Sequence, residues 1–158
     1  MQFKRHWGGQ MGHTPIYRRE DAACQCIEID MLKLAVGQSF DYDEKDKEYA
    51  LILLGGTGSV TGSSFAFEEI GKRGDVFGGP ATAVFVPLNR AFTVTAKTGL
   101  TISVCKSPAV KDFEPVLVKP EDVIVELTES GFLESNYRCM DLWKRLREHG
   151  ILLALDDF

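Results

Sequence analysis

The chain has 158 residues, a net charge of −5, 44% hydrophobic and 26% charged residues, and three histidines. That length allows one ordinary domain and a fraction, with a core large enough to need no disulfide or metal staple. The acidic balance supplies no phosphate-seeking field, which sets aside nucleic acid and anionic membrane as partners, and no apolar run approaches the roughly 18 residues of a membrane span.

The N-terminal Met1–His6 has basic residues with no hydrophobic segment behind them, so it is not read as a signal peptide. The four cysteines, Cys24, Cys26, Cys105 and Cys139, lack metal-knuckle spacing. They read as free thiols of a reduced compartment, which predicts a cytoplasmic protein.

Strands dominate from there. Ile27–Leu34 alternates apolar and polar residues with period two, the pattern of a half-buried strand. Gly37-Gln38 punctuates it, and Glu48–Leu54 is a second strand ended by Gly55-Gly56. Ser59–Gly62 and Phe65–Phe67 form a predicted hairpin turning at Gly62–Ser64. Ala83–Val86, Phe92–Ala96 and Leu100–Cys105 follow, at the spacing of an antiparallel sandwich or barrel. The pattern changes after Lys119-Pro120. Val123–Leu127 predicts one more strand, and Ser135 caps a predicted helix whose apolar stripe is Cys139, Leu142, Trp143 and Leu146. Gly150 stops that helix, and Ile151–Leu155 is a continuous apolar strand that needs both faces covered.

Particular residues carry a resemblance. The stretch Ile70–Pro87, continued by Phe92–Ala96 and Ile102–Ala109 and preceded by Leu34–Phe40 and Leu51–Gly56, is similar in order to the 5-deoxy-glucuronate isomerase family. The resemblance implies a mainly β fold: a single cupin barrel (double-stranded β-helix, jelly-roll-like) over residues 1–120, then a linker with a helix and strand over 121–158. It also implies an enzyme of inositol catabolism that interconverts aldose-type and ketose-type deoxy sugar acids. Family members are about twice as long and carry a divalent metal on a histidine-rich motif in their second cupin. The chain is therefore expected to be the first cupin and the start of the second, with little or no activity alone.

A cupin metal site needs histidine and carboxylate donors at set positions. Counted from Gly37, the two histidine slots fall at Asp43 and Lys45, the glutamate slot at Glu48 and the last histidine slot at Phe92. His6, His13 and His149 are expected to lie outside the barrel strands, so no metal is predicted in this barrel and no cofactor in this chain. Glu48 reads alternatively as a solvated strand-edge residue. Phe92, Phe85 and Leu53 read as core. Lys72 and Arg73 are candidates for holding a sugar carboxylate, since arginine presents a bidentate fork, and the alternative is a solvated hairpin. Glu48, Lys72 and Arg73 thus form the candidate substrate-binding set for a small sugar acid.

The tail, Val125–Gly131 and Leu153–Phe158, also resembles a piece of an EAL-type cyclic-di-GMP phosphodiesterase. That resemblance implies Glu126, Asp156 and Asp157 as metal ligands at the C-terminal ends of parallel strands. In the other reading the tail is the connection between two cupins. A non-catalytic cupin that binds a small sugar acid, or mediates dimerisation, is the alternative function, and a homo-oligomer is expected from exposed barrel edges.

Overall fold

The computed structural model describes residues 6–19, 26–122, 124–128, 148 and 152–156, the backbone alone in 124–128 and 152–156. The chain divides into two compact units, Met1–Leu117 and Val118–Phe158.

The first unit is built from ten strands: β1 (Gly12–Tyr17), β2 (Glu28–Leu34), β3 (Ser39–Tyr42), β4 (Lys47–Gly55), β5 (Gly58–Gly62), β6 (Ala66–Ile70), β7 (Ala83–Val86), β8 (Phe92–Ala96), β9 (Leu100–Pro108) and β10 (Val116–Val118). They form a six-stranded sheet in the order β1-β2-β9-β4-β7-β10 and a four-stranded sheet in the order β3-β8-β5-β6. The chain crosses between sheets after β2, β3, β4, β6, β7 and β8. This is the cupin barrel that the sequence predicts.

Alternation builds the core. β4 and β9 bury every second residue, and Leu51, Leu53, Leu100, Ile102 and Val104 are all at most 1% exposed. They meet Val60, Val94, Phe92 and Ala96 of the other sheet in one cluster. Close backbone approach fixes the closed end, where Gly56 adopts φ +92° and a Cβ would stand 2.1 Å from the Gly99 carbonyl oxygen. Only glycine tolerates both conditions.

Strands the sequence reading left out are β1, β3 and β10. β1 carries Pro15 and lies at a sheet edge, where a missing N–H is harmless. The predicted hairpin around Lys72 and Arg73 is not one. β6 and β7 belong to different sheets, and residues 71–82 cross between them as an irregular loop.

In the second unit, β11 (Ile124–Thr128) and β12 (Leu152–Asp156) pair in parallel, with Glu126 opposite Ala154 and Thr128 opposite Asp156. A 3-10 turn over Pro120–Asp122 precedes them, and the Asp122 carboxylate accepts a hydrogen bond from the Lys119 N–H at 2.9 Å. Of the predicted helix only Glu148, helical and exposed, lies among the described residues. Asp157 lies outside them.

Candidate functional site at the barrel mouth

Three inward-facing series of the large sheet run toward one end of the barrel and finish in charge. Leu34 and Leu32 of β2 are followed by Asp30 and Glu28, Leu53, Leu51 and Tyr49 of β4 by Lys47, and Leu100, Ile102 and Val104 of β9 by Lys106. The register brings them together, since Lys106 stands opposite both Glu28 and Tyr49. Antiparallel strands thereby place two acids and two lysines inside the mouth, where unpaired charge is costly.

They are thoroughly paired. The Lys106 ammonium, 4% exposed, lies 2.7 Å from a Glu44 carboxylate oxygen, 3.1 Å from Asp30 and 3.6 Å from Glu28. The Lys47 ammonium reaches Glu44 at 2.6 Å and Glu28 at 2.9 Å. Asp30, fully buried, also accepts from the Arg18 guanidinium, and His13 Nε2 stands 2.9 Å from its other oxygen. Three carboxylates therefore face three permanent cations, and the cluster is neutral when the His13 ring is neutral.

This arrangement sets the titration of its members. Burial alone raises the pKa of a carboxyl, but hydrogen bonds from Lys106 and Lys47 overcome it at Glu44 and hold it down at about 2. At Asp30 the same opposition, with Arg18, His13 and Lys106 against burial, also ends below the ordinary value. The Asp30 and Glu44 carboxylates are held ionised.

An aromatic wall backs the cluster. The rings of His13 and Phe40 stack at 5.0 Å, Tyr42 stacks on Phe92 at 5.0 Å, and Tyr49 meets both Tyr42 and Phe92 edge-on. Tyr49 donates its hydroxyl to Glu44 at 3.4 Å. The Tyr42 hydroxyl is buried and has no hydrogen-bond partner. Its burial, with the negative fields of Asp30 and Glu44, pushes its pKa upward.

The residues singled out by sequence lie elsewhere. Asp43 and Lys45 are exposed in the turn after β3, 3.9 Å apart. Glu48 is half-buried on the outer face of the large sheet, opposite Ser107, the neighbouring pleat position to the inward Lys47 and Tyr49. β4 is paired on both sides, so Glu48 lies near a strand end and not on an edge strand. Lys72 is exposed. Arg73 directs its fork at backbone, donating from Nε and Nη2 to the Leu53 carbonyl at 3.1 and 2.9 Å and from Nη1 to Gly79 at 2.9 Å. Phe92 and Leu53 are core, whereas Phe85 is half-buried on the outer face. His13 corrects the expectation that every histidine lies outside the strands, because it sits in β1 and bonds Asp30.

The positions at which a cupin would carry its metal ligands do not suit one here. Two of the four are exposed in a turn, the third points to the other face, and Phe92 offers only carbon. The carboxylates that do face the interior converge on an ammonium. Among the described residues no group of three His, Cys, Asp or Glu side chains could hold a metal ion.

Fold and site together define a cupin barrel whose interior mouth is an ion-paired cluster. Residues 4–138 match the KduI/IolB family, and the chain belongs to that family. It is 30% identical over 130 residues to the 5-deoxy-glucuronate isomerase of Geobacillus kaustophilus, covering 82% of this chain and 47% of that one. With the 5-deoxy-glucuronate isomerase of Bacillus subtilis strain 168 it shares 34% over 101 residues, 63% of this chain and 37% of the other. A crystal structure of an IolB-like protein from Salmonella typhimurium superposes with a TM-score of 0.69 at 28% identity, covering 73% and 44% of the two chains. The chain spans about half the length of the relatives it matches. The family match takes in Glu126 and runs on to residue 138, and the phosphodiesterase reading of the tail finds no support.

Proposed function

We propose that the chain is the first-cupin half of a 5-deoxy-glucuronate isomerase-like enzyme of inositol catabolism, and that it needs a metal-bearing second barrel to turn over substrate. The observation that carries this reading is the mouth. An aldose–ketose interconversion requires a base beside the carbonyl and an electrophile for the developing enediolate. Here each interior carboxylate is already bonded to a lysine or arginine, with Glu44 held down at about 2, so none is free to shuttle a proton near neutrality. The half-length match to the isomerases supports the same division of labour. A cytoplasmic, homo-oligomeric protein agrees with the free thiols Cys26 and Cys105, and with the exposed apolar Ile27, just before β2, and Val116 of β10.

Purified chain, assayed on the deoxy sugar acid with and without divalent metal, is expected to give no turnover. Turnover by the chain alone would refute the proposal. A second reading, a cupin that binds a small sugar acid without catalysis, is favoured by the unpartnered Tyr42 hydroxyl among charged groups.

A further inference from the structure

We infer that this barrel pairs with a second copy of itself across the outer face of its large sheet, the Phe77 ring of each copy seated in an apolar depression of the other. This deepens the homo-oligomer reading and rests on it.

The depression is made by one small residue. On the outer face, Ala50 of β4 stands opposite Phe85 of β7 on one side and Cys105 of β9 on the other. Its methyl group leaves a dent between them, which Ile27, Glu48 and Ser107 complete toward the mouth end. The dent holds about 160 Å³ and is lined almost wholly by apolar surface. A cavity of about 150 Å³ lined by apolar side chains takes a benzene ring. A single phenyl group therefore fits it.

The ring is offered by the loop between β6 and β7. Phe77 is 91% exposed, with Val76 beside it at 47%. Lone exposed apolar side chains are ordinary, but this one is held out on a braced loop. The Arg73 fork ties the loop to the Leu53 and Gly79 carbonyls, the Gly56 N–H donates to the Arg73 carbonyl at 2.9 Å, and the Leu53 N–H donates to the Thr82 carbonyl at 3.0 Å. Within the loop, Asp75 accepts from the Phe77 N–H at 2.9 Å with its carboxylate and from the Gly78 N–H at 3.2 Å with its carbonyl. A loop already ordered gives up little freedom on docking, which suits an aromatic anchor filling a pocket.

Position and charge favour a second copy as the occupant. The loop leads into β7 beside residues 53–56 of β4, and the dent lies at residues 48–50 of the same strand. Knob and hole are thus roughly 17 Å apart along one strand. A two-fold axis lying between two facing sheets and across their strands sets the loop of each copy over the dent of the other, so both contacts form at once and the assembly closes as a dimer. The outward charge at the dent is the half-buried Glu48, and the loop brings the exposed Lys72, while the Asp75 carboxylate is engaged by the Phe77 N–H. Opposite charges are brought together.

Sedimentation velocity of the full chain over a dilution series reads the association. The wild type is expected to be a dimer at about 100 μM, since interfaces of standard size have a Kd from micromolar downward. Phe77→Ser removes the knob and Ala50→Phe fills the hole, and each should weaken the dimer about tenfold or more, the loss of one anchoring contact. Phe77→Ser alters an exposed side chain and should keep the wild-type circular dichroism spectrum. A second readout sits in the dent itself. Alkylation of Cys105, followed by peptide mass spectrometry, should slow as the wild-type concentration rises and stay fast in Phe77→Ser. A dimer that Phe77→Ser leaves intact, or in which Cys105 reacts at one rate at every concentration, overturns the inference and leaves a homo-oligomer built on another face. A wild type that is monomeric at about 100 μM overturns the inference and the homo-oligomer reading together, and leaves the dent to a different partner. Turnover assays of the chain alone read the first-half proposal separately.

Discussion

Lys106→Met is the perturbation that tests the ion-paired mouth most directly. Methionine fills the same channel between β2 and β4 but removes the ammonium that three carboxylates share. Breaking a buried pair by deleting one partner costs about 3–5 kcal/mol, because the remaining charge is left buried. Here each acid keeps a second cation: Asp30 keeps Arg18, while Glu28 and Glu44 keep Lys47. The lower end, about 3 kcal/mol, is therefore expected. With an unfolding entropy of about 2 cal/mol/K per residue over the unit Met1–Leu117, that is a fall of about 12 °C in melting temperature. The pH dependence has a definite sign. Glu44 is held at about 2 against an ordinary 4.5, so the stability it contributes is present above 4.5 and is lost as pH falls toward 2. Lys106→Met weakens that depression, so the gap between variant and wild type should narrow through the same window. Circular dichroism melts at pH 7, with denaturant titrations at pH 7 and pH 3, measure both effects. A fall below about 4 °C at pH 7, or a gap equally wide at pH 3, would refute the account of the mouth.

Three further outcomes follow from the fold. Leu51→Ala removes a fully buried side chain from the centre of β4 and should cost about 3–4 kcal/mol in denaturant titrations. Gly56→Ala forces a side chain into a φ of +92° and against the Gly99 carbonyl, and should give little folded protein by size exclusion. Arg73→Ala frees the buried Leu53 carbonyl and the loop through Gly79, at about 2 kcal/mol. It should also speed limited proteolysis near the exposed Phe77, and Arg73→Lys should restore only part of the loss because one ammonium cannot reproduce the fork.

Strand existence was legible in the sequence because period-two alternation shows in β2, β4, β5, β8 and β9, each with a glycine-bearing turn at one end at least. β3 and β10 were not: β3 lacks the continuous apolar run that marks the equally short β7, and β10 is only three residues long. The candidate site was not read at all, and β2 shows why. Ile27–Leu34 alternates, but its phase slips at Met31-Leu32, so the stretch permits two opposite faces to be buried. The natural choice buries Ile27 and Ile29. The structure buries Leu32 and Leu34, and with them Asp30 and Glu28, leaving Ile27 43% exposed. The phase is decided outside the strand, by cations that arrive from residues 18, 47 and 106.

One signal of that outcome is present in the sequence, in β9 and not in β2. Leu100, Ile102 and Val104 define an unambiguous inward face, and the next position on it is Lys106. A lysine that alternation sends into a barrel demands acids at its own level on both neighbouring strands, since a lone buried ammonium would be untenable. β4 offers Glu48, but its inward face runs Leu53, Leu51, Tyr49 and Lys47, which turns Glu48 outward. The acids must then come from β2, where only the phase that buries Leu32 and Leu34 delivers Glu28 and Asp30, and from the turn before β4, which supplies Glu44. The slots counted from Gly37 miss the residues that face the interior for the same reason. They assume a ligand phase in the β3–β4 turn, whereas the residues that turn inward there are Tyr42 and Glu44, one position away from Asp43 and Lys45. A shift of one residue in that turn therefore decides which side chains face the interior, and it is Glu44 that meets the lysines of β4 and β9.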